Sequence, residues 1–301
     1  MKKFITKYPV LLFFISALAF QYVVMAALWY RLSDGATMAD DETTHMIFRA
    51  RVFGPLIFVV LISYYLEGTQ GIRTLFSSML QFRASAVFYS MAFTWKFIYT
   101  YIGIAFVVLL GFAEWPGLIL DNFVGGDHSS LHDLMRNMPY IVGIAFVEET
   151  AWMKFSVTRL QAKYSALTSC LLVGVGWALW YLPMFLVRQG VPDGYPLPVF
   201  MLSMISLTIL LGWSYNMTRS GVILLTMQIV SNCAFFIIPV LPGWWNGNAI
   251  YINSFVAVNS VVAIGLVVFY GWRELGTSKR AVWGEEHQEV AVAEVEVSVA
   301  A

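Results

Sequence analysis

The chain has 301 residues, 59% of them hydrophobic and 12% charged, and its 18 basic and 18 acidic side chains cancel. A mean hydropathy of +0.71 excludes an ordinary soluble domain, and a balanced charge without a Lys/Arg cluster excludes a nucleic-acid binder. The two cysteines, Cys170 and Cys233, both lie in apolar segments, which leaves no disulfide framework and no CxxC metal knuckle.

A spanning helix needs about 20 mostly apolar residues. Eight stretches meet or approach that length: 9–30, 52–66, 86–112, 138–155, 165–187, 197–217, 220–241 and 249–272. The fold class expected is therefore all-α, a polytopic membrane protein of about eight transmembrane helices. Lys2 and Lys3 ahead of the first run, with Val24-Met25-Ala26 as a cleavage site, would suit a signal peptide. The run continues to Tyr30, however, and an uncleaved anchor is the expectation. Residues 31–51 form a loop that is acidic and then basic.

Between the second and third runs, Ile72, Leu75, Phe76, Met79, Leu80 and Phe82 recur near helical spacing, flanked by Arg73 and Arg83. That pattern predicts an amphipathic or re-entrant segment over 67–89. Residues 113–137 read as a polar loop holding His128 and His132. Their spacing could put both on one helix face as metal ligands, but no HExxH or third ligand accompanies them. Beyond residue 272 the hydrophobic run stops, and Val/Ala alternates with Glu from 285 to 301. A lone terminal strand has no partner, so 273–301 is expected to be a disordered cytoplasmic tail on a single transmembrane domain, residues 1–272.

Orientation follows from the basic residues between spans. With the N-terminus inside, Lys2, Lys3, Lys7, Arg73, Arg83, Lys154, Arg159, Lys163, Arg219, Arg273, Lys279 and Arg280 are cytoplasmic. Arg31, Arg49, Arg51, Arg136 and Arg188 are then outside, and Lys96 lies within a span. The bias predicts both termini in the cytoplasm. The Lys-rich start and the lack of a retention signal fit a bacterial inner membrane.

Three runs carry polar groups where a bilayer discourages them. Glu148 and Glu149 fall inside the fourth run, where an ionised carboxylate costs at least about 2.5–3.5 kcal/mol, and such residues mark functional sites. On an α-helix Glu148 would share a face with Trp152, and Glu149 with Met153. One glutamate could then face a cavity while the other braces a neighbouring helix. The second polar run is Trp177-Ala178-Leu179-Trp180-Tyr181-Leu182-Pro183-Met184-Phe185, with Pro183 expected to kink its helix. In the third, Gln228 and Asn232 are four apart on one face. Singly, each run has a structural explanation: a neutralised acid pair, interfacial aromatics and interhelical hydrogen bonds.

Together, in this order and spacing, they resemble the CPBP family of intramembrane proteases, which includes the CAAX prenyl endopeptidases and the bacteriocin-processing or self-immunity proteins. The family's Glu-Glu-x-x-x-Arg motif, commonly EELGWRGFLLPRLQ, corresponds to EETAWMKFSVTRLQ at 148–161. Its WALWHLPLF corresponds to WALWYLPMF at 177–185, and its His-x-x-x-Asn to Gln228 through Asn232. The resemblance covers about residues 67–235. It implies that Glu148 stands at the water-activating base, Glu149 at its partner and Asn232 at an oxyanion donor. Both histidine positions have changed, to Tyr181 and Gln228, and the motif arginine is Met153.

A tyrosine hydroxyl can donate and accept a hydrogen bond but titrates near 10, so it shuttles protons poorly at neutral pH. Gln228 can donate an amide N–H to an oxyanion. Carboxylates, a phenol and amides make a poor zinc set, and no cofactor or metal is expected. Losing a general acid/base partner costs about 10²–10⁴-fold, and two such positions have changed. The expectation is a pseudoprotease that keeps a polar intramembrane cavity for a peptide, lipidated protein or membrane-protein partner. The alternative is an intramembrane endopeptidase in which Glu148 activates water, Tyr181 orients it, and Gln228 with Asn232 binds the oxyanion. A transporter that titrates Glu148 and Glu149 is the third reading, and no inverted repeat supports it.

Overall fold

The computed structural model describes residues 2–38, 40–117, 129–238 and 240–285, and among them every regular element is helical. A short helix α1 (Lys2–Lys7) leads into α2 (Pro9–Ser33), which Pro9 opens at the position where its missing N–H costs nothing. The buried residues of α2 are Val10, Phe13, Ala17, Gln21, Met25 and Leu28. They recur every three or four positions, so one narrow stripe faces protein and the rest of the helix is free for lipid. Asp41 caps α3 (Glu42–Ala50) by accepting from the backbone N–H of Thr43 and Thr44, and Arg31 at the end of α2 pairs with the same carboxylate. A single 3₁₀ turn (Arg51–Phe53) joins α3 to α4 (Gly54–Ser77).

Helix α4 breaks at Gly68, whose φ of 62° and ψ of −144° only glycine adopts readily. Beyond the break the chain folds back so closely that a Cβ on Gly71 would lie 2.3 Å from the Ser63 carbonyl oxygen. The returning segment is the amphipathic one expected from the sequence. Leu75 and Met79 are buried while Leu80 and Phe82 are exposed, and Phe76 stacks on Phe146 with ring centroids 5.9 Å apart.

The bundle continues with α5 (Ala86–Leu109), α6 (Ser129–Glu148), a π-helical turn (Glu149–Val157), α7 (Thr158–Gln161), α8 (Ala166–Val187), α9 (Leu197–Thr218), α10 (Gly221–Ile237) and α11 (Ile250–Tyr270). Each of the eight apolar stretches lies on a helix, and among the described residues six helices are long and apolar enough to cross a membrane. The stretches at 138–155 and 220–241 fall short of that standard. The first carries Glu148, Glu149 and Lys154, and α10 has 17 residues, roughly 25 Å of rise. Helix α6 begins at Ser129, inside the stretch read as a polar loop, because hydropathy marks apolar residues rather than helical ones. His132 is therefore on its first turn, whereas His128 lies outside the described residues. Pro183 sits inside α8 without ending it.

Helices α8 and α9 pack most extensively, α10 lies on α5 and α6, and α11 lies on α5 and α9. One end of this bundle gathers the residues read as one side of the membrane. There Lys163 donates to the Lys7 carbonyl, Arg159 pairs with Glu67 at 2.7 Å, and Ser220 donates to the Gln81 carbonyl. The opposite end holds the Arg31–Asp41 pair and the bond from the Tyr251 hydroxyl to the Glu114 carbonyl.

Residues 273–285, assigned to the tail on sequence, cross the first of these ends. Leu275 and Ala281 are buried, and the Trp283 indole N–H donates to Glu67 while Arg159 stacks on its ring at 3.9 Å. A few apolar side chains among polar ones dock this segment, and a hydropathy window averages them away. Residues 286–301 lie outside those described.

Candidate functional site

The site is built from the end of α6, the middle of α8 and the middle of α10. Glu148 is the last residue of α6 before the helix widens into the π turn. That widening lets Ser156 donate to the carbonyl of Ala151, five residues back, at 2.8 Å. The four-residue spacing assumed from sequence therefore does not hold beyond Glu148. π-turns inside α-helices are frequent at functional sites. Trp152, inside the turn, stacks on Trp177 of α8 at 5.7 Å.

Glu148 is 1% exposed. Its Oε1 accepts from the Tyr181 hydroxyl at 2.8 Å and its Oε2 from the Gln228 amide at 2.9 Å. One carboxylate thus ties α6 to α8 and α10 through Tyr181 and Gln228. Of the expected site residues, Glu148, Tyr181 and Gln228 are in direct contact. Asn232, a turn beyond Gln228, is half-buried and opens into the adjoining cavity. Glu149 is not part of this group: it is fully buried, and neither of its oxygens has a hydrogen-bond partner among the described residues. Met153, at the motif arginine position, is fully buried close to Gly212 of α9.

The cavity has a volume of about 380 Å³ and lies in front of this triad. Tyr181, Gln228 and Asn232 form part of its wall, with Glu148 behind them. Trp95 and Lys96 of α5, Asn137 and Tyr140 of α6, Phe200 and Met204 of α9, and Phe255 and Asn259 of α11 are also in the wall. A largely apolar pocket with a few placed polar groups is the usual form of a ligand site. Arg51, from the 3₁₀ turn after α3, also reaches the wall and is 5% exposed. Sequence reasoning counted it as a loop charge, because Arg49 and Arg51 flank the end of a span. Only the packing of α3 over α8 distinguishes the two: Arg49 lies over the Tyr140 ring, and Arg51 turns inward over Phe48 and Trp180. Around Glu148 the donors are one carboxylate, a phenol and primary amides, so a zinc ion would meet neither the imidazoles nor the thiolates it prefers.

Fold and site together define a polytopic helical membrane protein with a buried carboxylate beside a cavity. Residues 131–234 match the family described as type II CAAX prenyl endopeptidase Rce1-like. That segment contains all three motif stretches, and over it the chain is similar to that family. No curated protein matches the chain.

Proposed function

We propose that this protein is a pseudoprotease of the CPBP family, a single transmembrane domain over residues 1–272 whose cavity holds a peptide or a segment of a membrane-protein partner without cutting it. The observation that carries this reading is the engagement of Glu148. Both of its oxygens are taken by protein donors, and the side chain lies behind the cavity wall. A general base has to reach the proton of a water that itself faces the substrate carbonyl. Here a phenol and an amide fill the positions from which imidazoles would handle that water, and neither exchanges protons readily at neutral pH. What persists is a shaped pocket with polar points on an apolar wall.

Asn232 favours a second reading. It keeps the family's amide and faces the cavity, so it could serve with Gln228 as an oxyanion donor while Tyr181 orients a water for Glu148. One such donor is worth about 2.7–4 kcal/mol. On either reading we propose that both termini lie in the cytoplasm, which the Lys/Arg bias between spans supports, and that the membrane is a bacterial inner membrane.

Fluorescent prenylated C-terminal peptides and leader peptides, titrated against the protein in lipid nanodiscs, separate the two readings. The pseudoprotease reading expects a saturable rise in anisotropy with the mass of the labelled peptide unchanged. A shortened peptide that appears with wild type and not with Glu148→Ala would establish the endopeptidase instead.

A further inference from the structure

Arg51 is a buried cation for which the described residues supply no bonded anion. It precedes the family segment, and no motif points to it. Its Nε and Nη1 are buried and find no hydrogen-bond partner among the described residues. The guanidinium carbon lies 4.3 Å from the centre of the Phe48 ring and 5.4 Å from that of Trp180, which holds the group at the cavity wall. Glu148, Tyr140 and Tyr181 are near enough to interact with its charge, yet Glu148 directs both oxygens to Tyr181 and Gln228. Burying a charge without a bonded partner is costly. A planar guanidinium is the group best suited to hold a carboxylate.

We infer that Arg51 is an anion subsite of this cavity, taking the terminal carboxylate of a ligand whose apolar body lies against Trp95, Phe200 and Phe255. Two acceptors on the wall extend the match. Gln228 Oε1 and Asn259 Oδ1 are buried with no donor among the described residues, so an amide N–H or hydroxyl on the ligand body would satisfy them. Lys96, the other basic residue of the wall, lies 3.7 Å over the Phe255 ring. The carboxylate could belong to a lipid-derived acid or to the C-terminus of a peptide, and the chemistry at Arg51 is the same for both. The inference does not rest on the ligand being a peptide, so its failure and that of the proposed function are separable.

The test titrates phenylacetate and its neutral isostere phenylacetamide against the full chain in zwitterionic nanodiscs by calorimetry. A hydrogen-bonded charge pair predicts that wild type prefers the acid by about tenfold or more. In Arg51→Gln that preference should fall to about unity while phenylacetamide binds as before, which shows the cavity intact; Arg51→Lys should keep part of the preference. The wild-type comparison stands alone if Arg51→Gln does not fold. Equal affinities in wild type, or a preference that survives in Arg51→Gln, overturns the inference. So does an acid preference that emerges only in Glu148→Gln, since Arg51 would then serve as the counter-ion of Glu148. Decanoate and acetyl-Phe-Leu, run beside decanol and the amidated dipeptide, identify whether a lipid acid or a peptide terminus is the better source.

Discussion

At the scale of single residues, Glu148 shares its two oxygens between two helices, so Tyr181 and Gln228 are coupled through it. Side-chain hydrogen bonds between membrane helices average about 0.6 kcal/mol and reach about 1.7. Tyr181→Phe and Gln228→Leu should each fall in that range in a denaturant titration in mixed micelles. In a Glu148→Leu background both costs should vanish, a coupling of about 0.5–1.5 kcal/mol per pair. Costs that simply add would mean that the two bonds do not hold these helices. These residues stood out in the sequence because they fall at positions that resemble the motifs of the CPBP family. Their engagement was not, since spacing along one chain does not reveal that Tyr181 and Gln228, 33 and 80 residues from Glu148, meet the same carboxylate. Arg51 was legible only as a charge near a span end.

At the scale of elements, α8 and α9 approach on small residues. A Cβ on Gly212 would lie 2.4 Å from the Cys170 sulfur but 4.0 Å from its Cβ. Gly212→Ala should therefore lower the melting temperature, and Cys170→Ala should restore most of the loss by removing the clashing atom; a double variant no better than the single would refute that contact. The connection from α2 to α3 carries a pH dependence. The hydrogen bond from Arg31, and then that from the Thr44 hydroxyl, hold the Asp41 carboxyl down at about 2, below its unfolded value near 3.9. A depressed carboxyl stabilises above the unfolded value and loses that contribution as pH falls through the folded one. The Thr43 and Thr44 amides should lose protection between about pH 4 and pH 2 after correction for intrinsic exchange, and less steeply in high salt. Asp41→Asn should abolish that step. Hydropathy found the long helices readily and placed the amphipathic return of α4, but it missed the polar first turns of α6. The π turn was out of its reach as well, because no residue type marks the extra residue per turn.

At the scale of the whole molecule, most of the cavity wall comes from the matched segment 131–234, and α5 and α11 add Trp95, Lys96, Phe255 and Asn259 to it. The docked segment 273–285 adds a cover over one end that composition did not disclose. A cavity of this kind, with its carboxylate bonded to a tyrosine and a glutamine, is the central claim. It is tested most directly by restoring the histidines. Tyr181→His with Gln228→His changes two wall residues, whereas Met153→Arg would bury a charge beside Gly212 and is best kept to a separate variant. Wild type, Glu148→Ala and the double-histidine variant would be compared in lipid for cleavage of prenylated C-terminal and leader peptides, read by mass. The account predicts intact peptide with wild type and Glu148→Ala, and shortened peptide with the double-histidine variant. Cleavage by wild type that disappears with Glu148→Ala would contradict it.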